Sequence, residues 1–148
     1  MIQTVANPKS YPKYSLAGKV LTAVKGTISM YDPDTMHVAF KLAEDQPCYQ
    51  YALRVEGIDS IENKIKKTDL NTLSEAQKQA LFKRRDEALA YMSSLLSSTD
   101  LVIKLGDMDK YGRILSRLTT SNGVDVSEDL IKRGLVFPYQ GDTKMTLV

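Results

Sequence analysis

The chain has 148 residues, a net charge of +2, one cysteine and one histidine. That length suits a single domain, the near-balance of charge makes overall electrostatics a weak guide to any polyanionic partner, and one Cys with one His excludes an internal disulfide and a Cys/His zinc site. No apolar run reaches the roughly 18 residues of a membrane span and the first residues are polar, so the sequence predicts a soluble chain with no signal peptide, cytoplasmic or nuclear.

Residues 1–17 carry Pro8 and Pro12 and follow neither hydrophobic period, which predicts an arm, loose or laid across the domain. From Gly18 strand signals begin: residues 20–30 are rich in β-branched side chains, and Gly26 marks a bulge or bend in what reads as one long curved strand. Past a turn at 31–35, Met36, Val38, Phe40 and Leu42 alternate with His37, Ala39 and Lys41, the pattern of a half-buried strand with His37 on its polar side. Residues 43–47 predict a hairpin loop, and Cys48 reads as a small packed thiol. Tyr49, Tyr51, Leu53 and Val55 then alternate again, which turns Arg54 to the face opposite Leu53 and Val55. Lys64, Lys66 and Lys67, and later Lys83, Arg84 and Arg85, form local basic clusters, suited to a solvated face or to a phosphate backbone.

Ser74-Glu75-Ala76-Gln77 has the form of a capping box. Leu81, Ala88, Met92 and Leu95 recur behind it, with Phe82, Leu89 and Leu96 widening the stripe, and predict a long helix to about Ser97. Leu101, Ile103 and Leu105 restore the alternation, 107–112 reads as a turn, 114–120 as the last strand, and Asn122-Gly123 as its closing turn. Asp125 with Glu128, Leu130 and Ile131, then Lys132, Arg133 and Gly134, describe a short capped helix. Strands, a helix, further strands and a helix predict an α+β domain on a small antiparallel barrel, placed at 18–141 with a tail at 142–148.

The chemistry is carried by three turn-flanked segments: Asp32-Pro33-Asp34-Thr35, the run from Arg54 to Glu62, and Asp109-Lys110-Tyr111-Gly112-Arg113. A hard divalent cation needs carboxylate oxygens, a phosphodiester dianion in its transition state needs planar bidentate donors, and an attacking water needs an acid left free of the metal. Asp34, Asp59 and Glu62 with Arg54 and Arg113 supply these three parts. With a single His and no Gly-x-Ser-x-Gly elbow, the sequence argues against a Ser-His-Asp hydrolase, and no Gly-rich loop points to nucleoside triphosphates.

The order D-x-D-T, R-x-x-G-I-D-x-x-E, D-K-Y-G-R and a helix ending in R-G-L resembles the staphylococcal nuclease (thermonuclease-like) family from about Val20 to Gly141. The resemblance implies an OB-fold, a five-stranded antiparallel β-barrel with a long helix between strands 3 and 4 and a short C-terminal helix. It implies one calcium ion held by Asp34, Asp59 and the Ser60 carbonyl, a scissile phosphate gripped by Arg54 and Arg113, water directed by Glu62, and nucleotide contacts from Lys110, Tyr111 and Tyr139. The implied partners are DNA and RNA, single-stranded or frayed, cut to leave a 3′-phosphate. Ile61 stands where the family usually has proline, and Pro33 where glycine is commoner. The alternative is a catalytically silent OB-fold module that binds nucleic acid, as in Tudor-associated members that have lost the acids and arginines; all five are present here.

Overall fold

The computed structural model describes residues 2–12, 15–59 and 71–138, with Tyr31 described by its backbone alone. Among the described residues, eight strands and two α-helices follow a short 3-10 turn at Pro8–Ser10: β1 Val20–Ala23, β2 Ser29–Asp32, β3 Thr35–Phe40, β4 Tyr49–Val55, β5 Ile58–Asp59, α1 Glu75–Ser98, β6 Leu101–Met108, β7 Ile114–Thr120, α2 Val126–Lys132 and β8 Phe137–Pro138. Six strands form one sheet in the order β1-β6-β7-β4-β3-β2, and β5 pairs with β8 in a second, small one.

The two edges of the large sheet are consecutive in sequence, and that adjacency makes the sheet curl. Laid flat, six strands set roughly 4.8 Å apart would hold β1 and β2 about 24 Å from each other. The five residues between them include a turn closed by Thr27 N–H on the Val24 carbonyl, which shortens their reach below that distance. The sheet therefore bends into a half-barrel. The segment expected as one curved strand is divided here: its first half pairs with β6 and its second with β3, on either side of a turn around Gly26.

The α+β OB arrangement holds, with one correction: the sheet is mixed rather than antiparallel throughout. β4 and β7 run parallel, with Leu53 opposite Ile114 and Val55 opposite Ser116. Parallel neighbours need a long crossover, and the segment carrying α1 and β6 provides it.

The helix boundaries follow their caps. Ser74 Oγ accepts from Gln77 N–H while the Gln77 side chain accepts from Ser74 N–H, the reciprocal box read in the sequence. Asp125 caps α2 by accepting from Glu128 N–H. Ala88, Met92 and Leu96, each four apart, are the buried stripe of α1, and burying Met92 and Leu96 stabilises the fold by roughly 1.5–3 kcal/mol each. Met92 and Leu96 join Met36, Leu53, Ile103, Leu118 and Leu130 in one core. Leu16, from the segment read as an arm, is buried in the same core, and Gly18 and Lys19 pair with Leu105 beyond the end of β1. Cys48, expected to pack, is exposed, because the hairpin carrying it projects past the barrel wall where Tyr49 is also exposed.

The two helices are also joined by polar groups. Tyr91 donates its phenolic proton to Asp129, Arg133 Nε donates to the same carboxylate oxygen at 3.1 Å, and the Arg133 guanidinium lies 4.5 Å over the Tyr91 ring. The Tyr91 hydrogen bond, then Arg133, holds the Asp129 carboxyl below its ordinary value, and burial, then Asp129, pushes the Tyr91 phenol up. A depressed carboxyl means that the unfolded chain takes up the proton first. The Asp129 contribution is thus complete above the ordinary aspartate value of 3.8 and is lost as pH falls through the folded one, whereas that of Tyr91 is complete below 10.0 and fades as pH rises. Tyr91→Phe is expected to cost about 1.5 kcal/mol at neutral pH and less in acid, where Asp129 is protonated. Urea unfolding of both proteins at neutral and acidic pH checks this; an equal loss at both would contradict it.

Candidate active site

Thr35 lies opposite Arg54 across β3 and β4, and Leu53 opposite Ile114 across β4 and β7. The start of β3, the end of β4 and the start of β7 are therefore side by side at one end of the barrel. Asp34, Arg54 and Arg113 sit on those three termini, and β5 brings Asp59 to them.

Local sequence explains each placement. Pro33 and Asp34 are the two residues between β2 and β3, and proline cannot adopt the positive φ favoured in two-residue hairpins, so the ladder carries an irregularity between Met30 and Asp32. Asp34 is left facing inward, 1% exposed. Val55 N–H donates to the Asp34 carbonyl at 2.8 Å and fastens this turn to β4. Gly57, at φ +87°, takes a conformation that side chains resist, and the reversal it permits returns Asp59 beside Arg54. Arg85 of α1 pairs with Asp32 at 3.0 Å, bracing the hairpin from outside.

Alternation places Arg54 opposite Leu53 and Val55, yet that face is also covered and Arg54 is 9% exposed. Its Nη1 donates to the Val55 carbonyl at 2.8 Å, and its Nη2 meets Asp59 at 2.5 Å and Asp34 at 3.7 Å. Both carboxylates thus face one cationic nitrogen. One guanidinium, five positions from one acid and twenty from the other, offsets half of the charge of this buried pair, a partner that burial this deep requires.

Arg113 stands at the mouth of the same cluster. Its Nη1 donates to Thr35 Oγ1 at 3.3 Å, and that hydroxyl donates to Asp34 Oδ1 at 3.1 Å, so one hydrogen-bonded chain links the acids to the second guanidinium. Asp109 accepts from Arg113 Nε at 2.9 Å. Burial alone would raise the Asp109 carboxyl, but the backbone N–H groups of Arg113 and Tyr111 and the Arg113 side chain outweigh it and hold the carboxyl below its ordinary value. Tyr111 is 71% exposed, with Lys110 Nζ 5.3 Å and Arg113 Cζ 5.4 Å from its ring centre. An open ring flanked by two cations is a surface on which a base can stack beside its phosphate.

The structure thus brings together Asp34, Asp59, Arg54 and Arg113, with Lys110 and Tyr111 beside Arg113. Ser60, Glu62 and Tyr139 lie outside the described residues, as do Lys64, Lys66 and Lys67. Two residues acquire roles that the sequence reading did not assign. Thr35 bridges Asp34 and Arg113, and Asp109 holds Arg113. An Asp at the head of a tight loop, four residues before an Arg, was the available signal for the second.

Among the described residues no group of three or more His, Cys, Asp or Glu side chains forms a metal cage. What Asp34 and Asp59 offer is a pair of converging oxygen donors without nitrogen or sulfur. That chemistry fits a hard cation that fills its remaining positions with carbonyls and water.

An OB-type half-barrel that gathers buried carboxylates and guanidiniums at one end is a nuclease-related domain, of a kind that handles nucleic acid. The family model for staphylococcal nuclease homologues matches residues 52–146, and the chain belongs to that family. The match spans the segments from Arg54 to Glu62 and from Asp109 to Arg113 and includes Tyr139. Asp34 precedes it, and is joined to the site by its contact with Arg54. No curated protein is similar enough to the chain to register as a match. Among the described residues no helix is long and apolar enough to cross a membrane.

Proposed function

We propose that the chain is a calcium-dependent nuclease that hydrolyses phosphodiester bonds of DNA and RNA with little sequence preference. The observation that carries this reading is the convergence of Asp34, Asp59, Arg54 and Arg113 at one barrel end, from three segments far apart in sequence. A fold needs no such concentration of buried charge for stability, since apolar side chains of like volume would serve as well or better.

Asp34 and Asp59, with the Ser60 carbonyl, would hold the calcium ion. When bound, the ion supplies Lewis-acid polarisation of a phosphoryl oxygen. Arg113 donates from its outer nitrogen to the scissile phosphate and stabilises the charge that builds on it in the transition state. Arg54 keeps the acids in register and lends the same pocket a second guanidinium. Glu62 orients the attacking water and takes its proton as the new P–O bond forms; the P–O5′ bond breaks, and the departing oxygen gains a proton to become the 5′-hydroxyl. Lys110, Tyr111 and Tyr139 hold the nucleotide by charge and by stacking, contacts that any base accepts.

Purified protein is expected to degrade single-stranded DNA in calcium, to leave 3′-phosphate ends and to stop when a chelator is added. Degradation at the same rate with chelator present overturns the calcium-dependent reading. Retention of DNA on a filter without cleavage in either condition supports the silent binding module instead.

A further inference from the structure

Asp109 heads the loop between β6 and β7, and both of its carboxylate oxygens are directed at Arg113 and the chain leading to it. Oδ1 accepts from the backbone N–H of Tyr111 and of Arg113, each at 2.9 Å, and Oδ2 accepts from Arg113 Nε at 2.9 Å. The Asp109 backbone closes the same loop: its N–H donates to the Arg113 carbonyl at 2.7 Å and its carbonyl accepts from Gly112 N–H at 3.1 Å. Gly112, at φ +83°, makes so short a closure possible. On the far side, Thr35 Oγ1 takes Nη1 at 3.3 Å.

A guanidinium is planar, so fixing Nε and Nη1 fixes the direction of Nη2, which has no partner among the described residues. A negative charge beside an arginine that must attract phosphate weakens that attraction, so electrostatics alone argues against an acid at position 109. What the acid contributes is geometry. It suppresses the torsional freedom of a long side chain and leaves one nitrogen aimed.

We propose that Asp109, assisted by Thr35, is a positioning residue that aims the Arg113 guanidinium at the scissile phosphate. The inference rests on the nuclease reading above. Asp109→Asn separates the roles of this carboxylate, because the amide oxygen still accepts from the two backbone N–H groups while the amide nitrogen cannot accept from Nε. The loop is kept and the guanidinium is released.

The experiment measures cleavage of single-stranded DNA in calcium by wild type, D109N, R113A and the double variant, together with NMR relaxation of the Arg113 Nε–H group in wild type and D109N. For D109N the expected result is a fall in kcat on the order of 100-fold with KM unchanged or lower, since a repulsive charge has gone. In the R113A background the same change is expected to alter the rate by no more than about twofold. The Nε–H vector is expected to be rigid in wild type and mobile in D109N. A wild-type kcat in D109N, a full additional loss in the double variant, or Nε–H mobility that is the same in both proteins overturns the proposal. Failure of wild type to cleave in calcium overturns the function itself, and the relaxation measurement still decides separately whether Asp109 holds Arg113.

Discussion

Arg54→Met is expected to lower stability by about 3 kcal/mol or more, because it leaves two buried carboxylates facing each other with their shared counter-charge removed. Asp34 is 1% exposed and Asp59 9%, so water cannot take over the solvation that Arg54 now provides. For a domain of this length that loss corresponds to a drop of roughly 10 °C in melting temperature. The methionine fills much of the vacated volume, which separates the charge effect from a cavity. Removing the acids as well, in Arg54→Met with Asp34→Asn and Asp59→Asn, is expected to restore most of the lost stability, since replacing a whole buried ionic group costs far less than orphaning part of it. Thermal unfolding of the single and triple variants checks this. A single variant as stable as wild type would mean that the three charges are not coupled as their distances of 2.5 and 3.7 Å require. If Asp34 and Asp59 also hold calcium, added calcium should raise the melting temperature of the single variant by more than that of wild type, because the ion no longer competes with a guanidinium for the same oxygens.

Glu62→Gln is expected to slow turnover by about 10²- to 10⁴-fold, the usual share of a positioned general base, while leaving KM near its wild-type value. Glutamine has the size of glutamate and retains an acceptor oxygen, but at neutral pH its amide cannot take up the proton of an attacking water. A change confined to kcat therefore identifies proton abstraction, whereas a side chain that merely orients water should tolerate the amide better. Arg113→Ala provides the scale for comparison. Loss of one donor aimed at developing charge costs about 3 kcal/mol, close to 10²-fold. Single-turnover rates at saturating DNA measure both variants free of product release. Glu62→Gln at the wild-type rate would remove Glu62 from the reaction.

Much of the fold is visible in local sequence patterns. The capping box at Ser74 and Gln77, the spacing of Ala88, Met92 and Leu96 and the Asp125 cap follow from residues a few positions apart, and the strand at 114–120 shows in its local alternation although distant strands hold it. The members of the cluster at the barrel end were legible for a similar reason, since Asp34, Asp59, Arg54 and Arg113 fall in short segments whose residue types suggest their chemistry. Less visible were the features that depend on distant partners. The division of residues 20–30 into two strands depends on β6 claiming one half and β3 the other. The parallel pairing of β4 with β7 depends on the crossover that carries α1. Burial of Arg54 escapes a period-two reading, because alternation distinguishes two faces of a strand but does not say that both will be covered.

Sequence alone therefore determined both helices, their caps and most strand positions, and it supplied the acids and arginines proposed here for phosphodiester chemistry, because these are read from neighbours within a turn or two. Tertiary structure decided the rest: that Asp34, Asp59, Arg54 and Arg113 meet at one barrel end, that Thr35 bridges two of them, and that Asp109 restrains Arg113 instead of simply opposing its charge. Those relations arise from strand register and chain reversal over separations as long as 78 residues, where hydrogen-bonded pairing, and not local preference, sets what each side chain touches.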